Sequence, residues 1–177
     1  MDNEKAPFNV FLLNGSHALL GPGDEEPGTS PGWTVRRYTE GKRLLLSKRQ
    51  CVTTAAVPYR IQFIVLAFYE CGEDIKPEEN IWHLMYNGRT LEDADALKNA
   101  GPLERAKLAQ AIEEFLDCAV TTNDDPEQLR GPQLFEDGDW IYTCEQKGDF
   151  AKFEGKETVL YRDELVYEGS FKGKLNT

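Results

Sequence analysis

Two carboxylates in the last third of the chain have the types and spacing that could divide acid and base roles. Asp149 and Glu157 flank a turn, so strands folded back on one another could bring them together. In such a pair one group holds a proton while the other accepts one. The plainer reading is that Asp149 shapes the turn, because Asp side chains bond nearby backbone amides, and that Glu157 is a solvated strand position. No nucleophile–base pattern or phosphate loop stands beside them, so no catalytic residue is assigned.

The other reactive side chains are sparse. Cys51, Cys71, Cys118 and Cys144 have no C-x-x-C spacing, and only His17 and His83 accompany them. That disfavours a zinc site and a disulfide scaffold, and the reading is free thiols in a reducing cytoplasm with no metal and no cofactor. His83 falls inside a strand pattern, where a satisfied or surface imidazole competes with a binding role. The aromatic residues Trp140, Tyr142, Tyr161 and Tyr167 are either core or, where exposed, a partner patch. The candidate binding residues are therefore Trp140, Tyr142, Asp149, Glu157, Tyr161 and His83.

The elements that must position them begin with residues 139–174. Trp140, Tyr142 and Cys144 alternate with Ile141, Thr143 and Glu145, Val159 and Tyr161 with Thr158 and Leu160, and Val166 and Glu168 with Tyr167 and Gly169. With turns at Lys147-Gly148-Asp149 and Arg162-Asp163-Glu164, this predicts an antiparallel meander, which can bury one face and wet the other. Upstream, Phe8, Phe11, Leu12 and Leu19 suit one helix face over residues 8–20, although Asn14-Gly15 favours a hairpin turn. Residues 21–32 read as a Pro/Gly loop. Strands are expected from Trp33 to Tyr38 and Arg43 to Arg49, with a buried one from Pro58 to Tyr69. Another runs from Ile81 to Tyr86 and is ended by Asn87-Gly88. Between them, residues 70–80 read as an acidic connection. The clearest helix covers residues 103–119, where Leu108, Ile112, Phe115, Leu116 and Ala119 form one stripe. Arg36, Arg37, Lys42, Arg43, Lys48 and Arg49 are either charges balanced by acidic neighbours or an anion-contact surface.

At 177 residues the chain suits one cored domain, and a hydrophobic content of 40% suits a folded one. The formal net charge of -11 disfavours broad nucleic-acid binding, since phosphates are repelled at long range. An acidic start and an apolar run over residues 61–69 that is half a membrane span long give the expectation of a soluble, intracellular protein without membrane contact.

Residues 81–89 align without a gap on residues 166–174. Val65-Leu66 then falls on Val159-Leu160, Trp33 on Trp140, and Phe11-Leu12 on Phe115-Leu116. The fold expected is α+β: two similar helix-plus-antiparallel-sheet halves, residues 1–100 and 101–177, packed as a pseudo-dimer around one core in a single domain.

Several segments together resemble an uncharacterised bacterial family. They are Arg130-Gly131-Pro132, Asp137-Gly138-Asp139-Trp140-Ile141-Tyr142, Gly148-Asp149, Phe153-Glu154-Gly155-Lys156-Glu157, Val166-Tyr167 and Phe171-Lys172-Gly173. The family is a domain of unknown function found alone or attached to helix-turn-helix regulators, and residues 81–89 resemble its Trp-Met-Asn-Tyr-Gly segment. Two positions depart: a first-half Gly-x-Glu is missing around Arg60–Phe63, and the closing Gly-Gly is Gly173-Lys174. The resemblance implies a fold and a bacterial or phage setting, and no activity.

Three functions are expected from these residues. The first is a non-catalytic binding or regulatory protein acting on a protein partner with a basic surface. The alternatives are a small-molecule-binding enzyme using carboxylates, and an acidic nucleic-acid-mimicking anti-defence or antitoxin-like protein.

Overall fold

The computed structural model describes residues 7–20, 25–52, 59–69 and 79–176. The acidic start, residues 21–24 of the Pro/Gly loop, Pro58, Cys71 and residues 70–78 of the acidic connection lie outside the described residues.

Helix α1 (Phe8–Leu20) forms despite its central Asn14-Gly15. The reason is tertiary: a Cβ on Gly15 would press into Leu45 and Tyr38, so this glycine lets the helix lie close on the sheet. Phe11 and Leu12 are buried beneath it. Helix α3 (Pro102–Thr121) starts as its sequence dictates, with Pro102 in the first turn and the Gly101 N–H donating to Glu104 Oε2 at 3.1 Å. A single short turn of helix, α2 (Asp95–Lys98), precedes it.

The strands are β1 (Glu26–Pro27), β2 (Trp33–Glu40), β3 (Arg43–Val52), β4 (Arg60–Phe68), β5 (Trp82–Thr90), β6 (Leu134–Asp137), β7 (Trp140–Asp149), β8 (Lys152–Tyr161) and β9 (Glu164–Leu175). They form one antiparallel sheet in the order β1-β2-β3-β4-β5-β9-β8-β7-β6. Sequence neighbours pair everywhere except at the centre, where β5 meets β9. The fold is thus α+β and mostly strand.

Both long helices cover one face of the sheet. One core draws on α1 (Phe11, Leu12), α3 (Ile112, Leu116) and strands of both ends of the sheet (Leu45, Tyr86, Tyr142, Val159). Burial of this apolar surface is the main favourable contribution to the fold. A smaller cluster of Leu44, Leu46, Leu66 and Phe68 lies at the opposite strand parity of β3 and β4.

Three details depart from the expected pattern. Asn87-Gly88 does not end a strand: β5 runs through it to Thr90, and Gly88 pairs with Gly169. A Cβ on either glycine would collide with a tyrosine hydroxyl, so the residues that read as turn punctuation are clearance for side chains. The β7–β8 turn falls at Phe150-Ala151, two residues beyond the expected place, and Asp149 Oδ1 accepts the Ala151 N–H at 2.9 Å. In β9 the alternation breaks, with Val166 and Tyr167 both buried. A register shift beside Val159 makes Val166 an extra residue, and its carbonyl accepts the Leu91 N–H at 2.9 Å. The Arg162-Asp163 turn is as expected, with φ of 51 and 64 degrees giving the left-handed pair a two-residue hairpin requires.

Of the repeat correspondences, one fails on topology. Counted outward from the β5–β9 junction, Trp33 begins the fourth strand, β2, while Trp140 begins the third, β7.

Candidate functional site

Phe153, Gly155, Glu157 and Val159 occupy alternate positions of β8 and so share its helix-covered face. Glu157 is 0% exposed there. An isolated charge at such depth costs several kcal/mol, so it must be paired. Arg130 supplies the countercharge, donating from Nη2 to Oε1 at 3.0 Å and from Nε to Oε2 at 3.3 Å. Tyr142 donates to Oε2 at 2.7 Å, and the Tyr86 hydroxyl donates to Oε1. The Tyr86 and Tyr167 hydroxyls lie 2.5 Å apart. Four donor bonds match the roughly four lone-pair sites of a carboxylate.

Each partner arrives from a different place. Tyr86 comes from β5, Tyr142 from β7, Tyr167 from β9 and Arg130 from the segment after α3. Gly131 is bare because a Cβ would strike the Tyr142 ring, and Gly88 and Gly169 clear the Tyr86 and Tyr167 hydroxyls. The segment carrying Arg130 is tied down by the buried Asn123, whose Nδ2 donates to the Gln128 carbonyl at 2.7 Å, and by Gln146, whose Oε1 accepts the Leu129 N–H at 2.9 Å. The guanidinium carbon also sits 4.5 Å from the Tyr86 ring centre and 5.1 Å from that of Phe63, and these two rings stack 4.5 Å apart. A guanidinium between a carboxylate and aromatic faces is favoured by both contacts.

The electrostatics follow from burial. Burial, then the Glu157 charge, push Tyr86, Tyr142 and Tyr167 well above the usual phenol range. Burial likewise raises the Cys144 thiol, with Glu157 adding to it. For Arg130 burial is the largest influence and opposes the charged form, yet Glu157 together with Tyr86 and Tyr142 outweighs it and holds the guanidinium well above its ordinary value. The centre is thus a saturated network of protonated phenols, a protonated thiol and one closed ion pair. It offers no free base and no thiolate.

The candidate residues divide cleanly. Tyr142 and Glu157 meet in this network. Asp149 stays at the exposed β7–β8 turn, paired with Lys152, whereas Glu157 pairs with Cys144. Five residues of β8 separate those levels, about 16 Å along the strand. The carboxylate pair therefore does not form. Trp140 and Tyr161 pack on each other with ring centres 4.4 Å apart, and Phe115 of α3 lies 5.4 Å from Trp140. They are half-buried core-edge residues, and Tyr167 is fully buried, so the four aromatics make no common exposed patch. His83 is half-buried on the uncovered side of β5, opposite in parity to Tyr86. Among the described residues no three His, Cys, Asp or Glu side chains converge as metal ligands. No described helix is long and apolar enough to cross a membrane. Four of the six residues of the basic cluster are paired with acids, Arg36 on Glu25, Arg37 on Glu26, Arg43 on Glu40 and Arg49 on Glu113.

Sequence reasoning missed Arg130 and Tyr86. Arg130-Gly131-Pro132 reads as loop punctuation, and a cation alone in a loop carries no signal. Parity did carry one for Glu157: Phe153 and Val159 face inward, so the glutamate between them must too.

These features define a class, an α+β protein whose single antiparallel sheet is helix-covered on one face and pinned by a buried Arg–Glu–Tyr network. Residues 66–175 match the family described as a domain of unknown function (DUF5680), and this well over half of the chain places the protein in that family. The matched region holds Tyr86, Arg130, Tyr142, Glu157 and Tyr167, while Phe63 lies just outside it. Neither the curated proteins nor the solved structures gave a match.

Proposed function

We propose that the chain is a non-catalytic binding or regulatory protein that engages a protein partner through the uncovered face of its sheet. The observation that carries this is the saturation of Glu157 by Arg130, Tyr86 and Tyr142. Glu157 is the one fully buried carboxylate among the described residues, and it spends every acceptor site on the fold, which leaves recognition and not acid–base chemistry to the surface. On the opposite face of the strands, Met85 is 43% exposed at a shallow depression of about 540 Å³. Glu145 and Glu154 alternate there with Lys147, Lys156 and Lys172, an apolar centre within a charged rim. Because the two signs interleave, this face favours a partner of mixed charge over a phosphate-like row of acids.

Replacing Met85 with a photo-cross-linking amino acid tests the reading. A protein adduct is expected at Met85, weaker at high salt because rim charges are screened, and none at the exposed Leu103. No adduct at any salt, or equal labelling at both positions, overturns it. For the carboxylate-enzyme alternative, turnover equal in Glu157→Gln and the native chain would remove Glu157 from any reaction.

The pseudo-dimer is part of the same proposal. It draws support from the order of elements, a long helix followed by a run of antiparallel strands in each half, and from the meeting of the two last strands, β5 and β9, at the centre of the sheet. The family resemblance supports a bacterial or phage setting, and the unpaired thiols of Cys51, Cys118 and Cys144 support a reducing cytoplasm.

A further inference from the structure

A second feature lies on the helix side of the sheet, bordering the buried network and sharing Arg130 with it. A cavity of about 50 Å³ opens between α1, strands β3 to β5 and the segment at Leu129-Arg130. Its walls are apolar, with Leu19, Ile61, Phe63, Trp82 and Leu84 among them. Its polar lining consists of Ser16, Ser47, Arg49 and Arg130, and no carboxylate faces it. We propose that this cavity binds a small monocarboxylate with a short apolar body.

The cavity wall carries more donors than acceptors. Arg130 spends Nε and Nη2 on Glu157, and Arg49 spends Nη2 on Glu113, so among the described bonds the Nη1 groups carry none. Two guanidiniums and two hydroxyls in an apolar enclosure call for an acceptor, and a planar carboxylate is the acceptor that a guanidinium fork matches best. Each arginine is already neutralised by its own glutamate, so the empty cavity buries no bare charge. The space sets the size: it holds about three to four water molecules, enough for a carboxylate head and a few carbons. Phe63 and Trp82 provide flat apolar walls for that body. This site is independent of the partner reading, since the depression at Met85 lies on the other face of the sheet.

Calorimetric titration of the full chain with acetate, butyrate, benzoate and octanoate tests it, with butan-1-ol and butylammonium as charge controls and the Trp82 indole NMR signal as a local reporter. We expect one site, an affinity that peaks at the shorter acids, and at least about tenfold weaker binding of butan-1-ol, the loss of one charge-assisted contact. Ser47→Leu, which fills the cavity, should abolish the heat while circular dichroism stays native. The Trp82 shift in the unmodified chain locates the ligand even if that variant fails to fold. The proposal is overturned if no acid moves the Trp82 signal at about 10 mM, a concentration weaker than any functional affinity of this kind. Equal binding of butan-1-ol, or full binding by a folded Ser47→Leu chain, overturns it as well.

Discussion

The Arg130 guanidinium and the Glu157 carboxylate form an enclosed ion pair, Nη2 to Oε1 at 3.0 Å, with 9% of the arginine side chain and none of the glutamate's exposed. They lie 27 residues apart in sequence, on a loop and a strand. The pair joins the segment after α3 to the sheet, and through Tyr86 it joins β5 to β8. Its contribution is a unique arrangement of the core, because an apolar replacement of similar volume could equal it in stability.

Glu157→Gln should therefore destabilise the fold strongly, by about 3–5 kcal/mol, since Arg130 is left charged and unpaired in the core. The double variant Arg130→Met with Glu157→Gln should cost less than Glu157→Gln alone. Urea denaturation midpoints of the three chains check this, and a double variant weaker than the single one would contradict the pairing.

Gly169→Ala adds a methyl group where the Tyr86 hydroxyl sits, and Gly88→Ala adds one against Tyr167. Each overpacks the core and should cost about 1–3 kcal/mol. Gly101→Ala, where a Cβ meets nothing within 4 Å, is the control and should leave the melting temperature nearly unchanged. Thermal melts of the three variants are the measurement.

Alkaline pH should unfold the protein in one step with tyrosine ionisation. Burial holds Tyr59, Tyr86, Tyr142 and Tyr167 above the ordinary phenol value of 10.0, with Glu157 adding to the rise at the last three. The unfolded chain thus releases these protons first, so stability is full below pH 10.0 and falls as pH rises beyond it. Each such tyrosine contributes a slope of about 1.4 kcal/mol per pH unit. Tyrosinate absorbance and far-ultraviolet circular dichroism recorded together should show these four ionising only as ellipticity is lost. Ionisation of all seven tyrosines before any loss of ellipticity would sink the prediction.

Asp149→Ala tests the separation of the two carboxylates. Its loss removes the bond from the Ala151 N–H at an exposed turn and should cost about 1 kcal/mol. Its cost should add to that of Glu157→Gln within about 0.5 kcal/mol in the double variant, as independent sites do. A larger departure from additivity in urea denaturation would mean that Asp149 does reach the network.

Much of this architecture was legible locally. The stripe of Ile112, Phe115, Leu116 and Ala119 specified α3, and the alternation of Tyr142 and Cys144 with Thr143 specified a strand and its buried face. These are periodicities, and a period is a property of neighbouring residues, so the sequence by itself determined most of the elements and the faces they present. It did not determine what lies opposite a face. Tyr86 and Glu157 are 71 residues apart, and only the meeting of β5 with β9 brings them together. The same closure turned Gly88 from a turn residue into a gap for a hydroxyl, and the packing of α1 on β2 and β3 made Gly15 a helix contact. Those outcomes belong to the tertiary structure because they depend on chain closure over long separations, for which local residue types carry no register. The distance between Asp149 and Glu157 is set instead by the β7–β8 register, which the turn at Phe150-Ala151 decides.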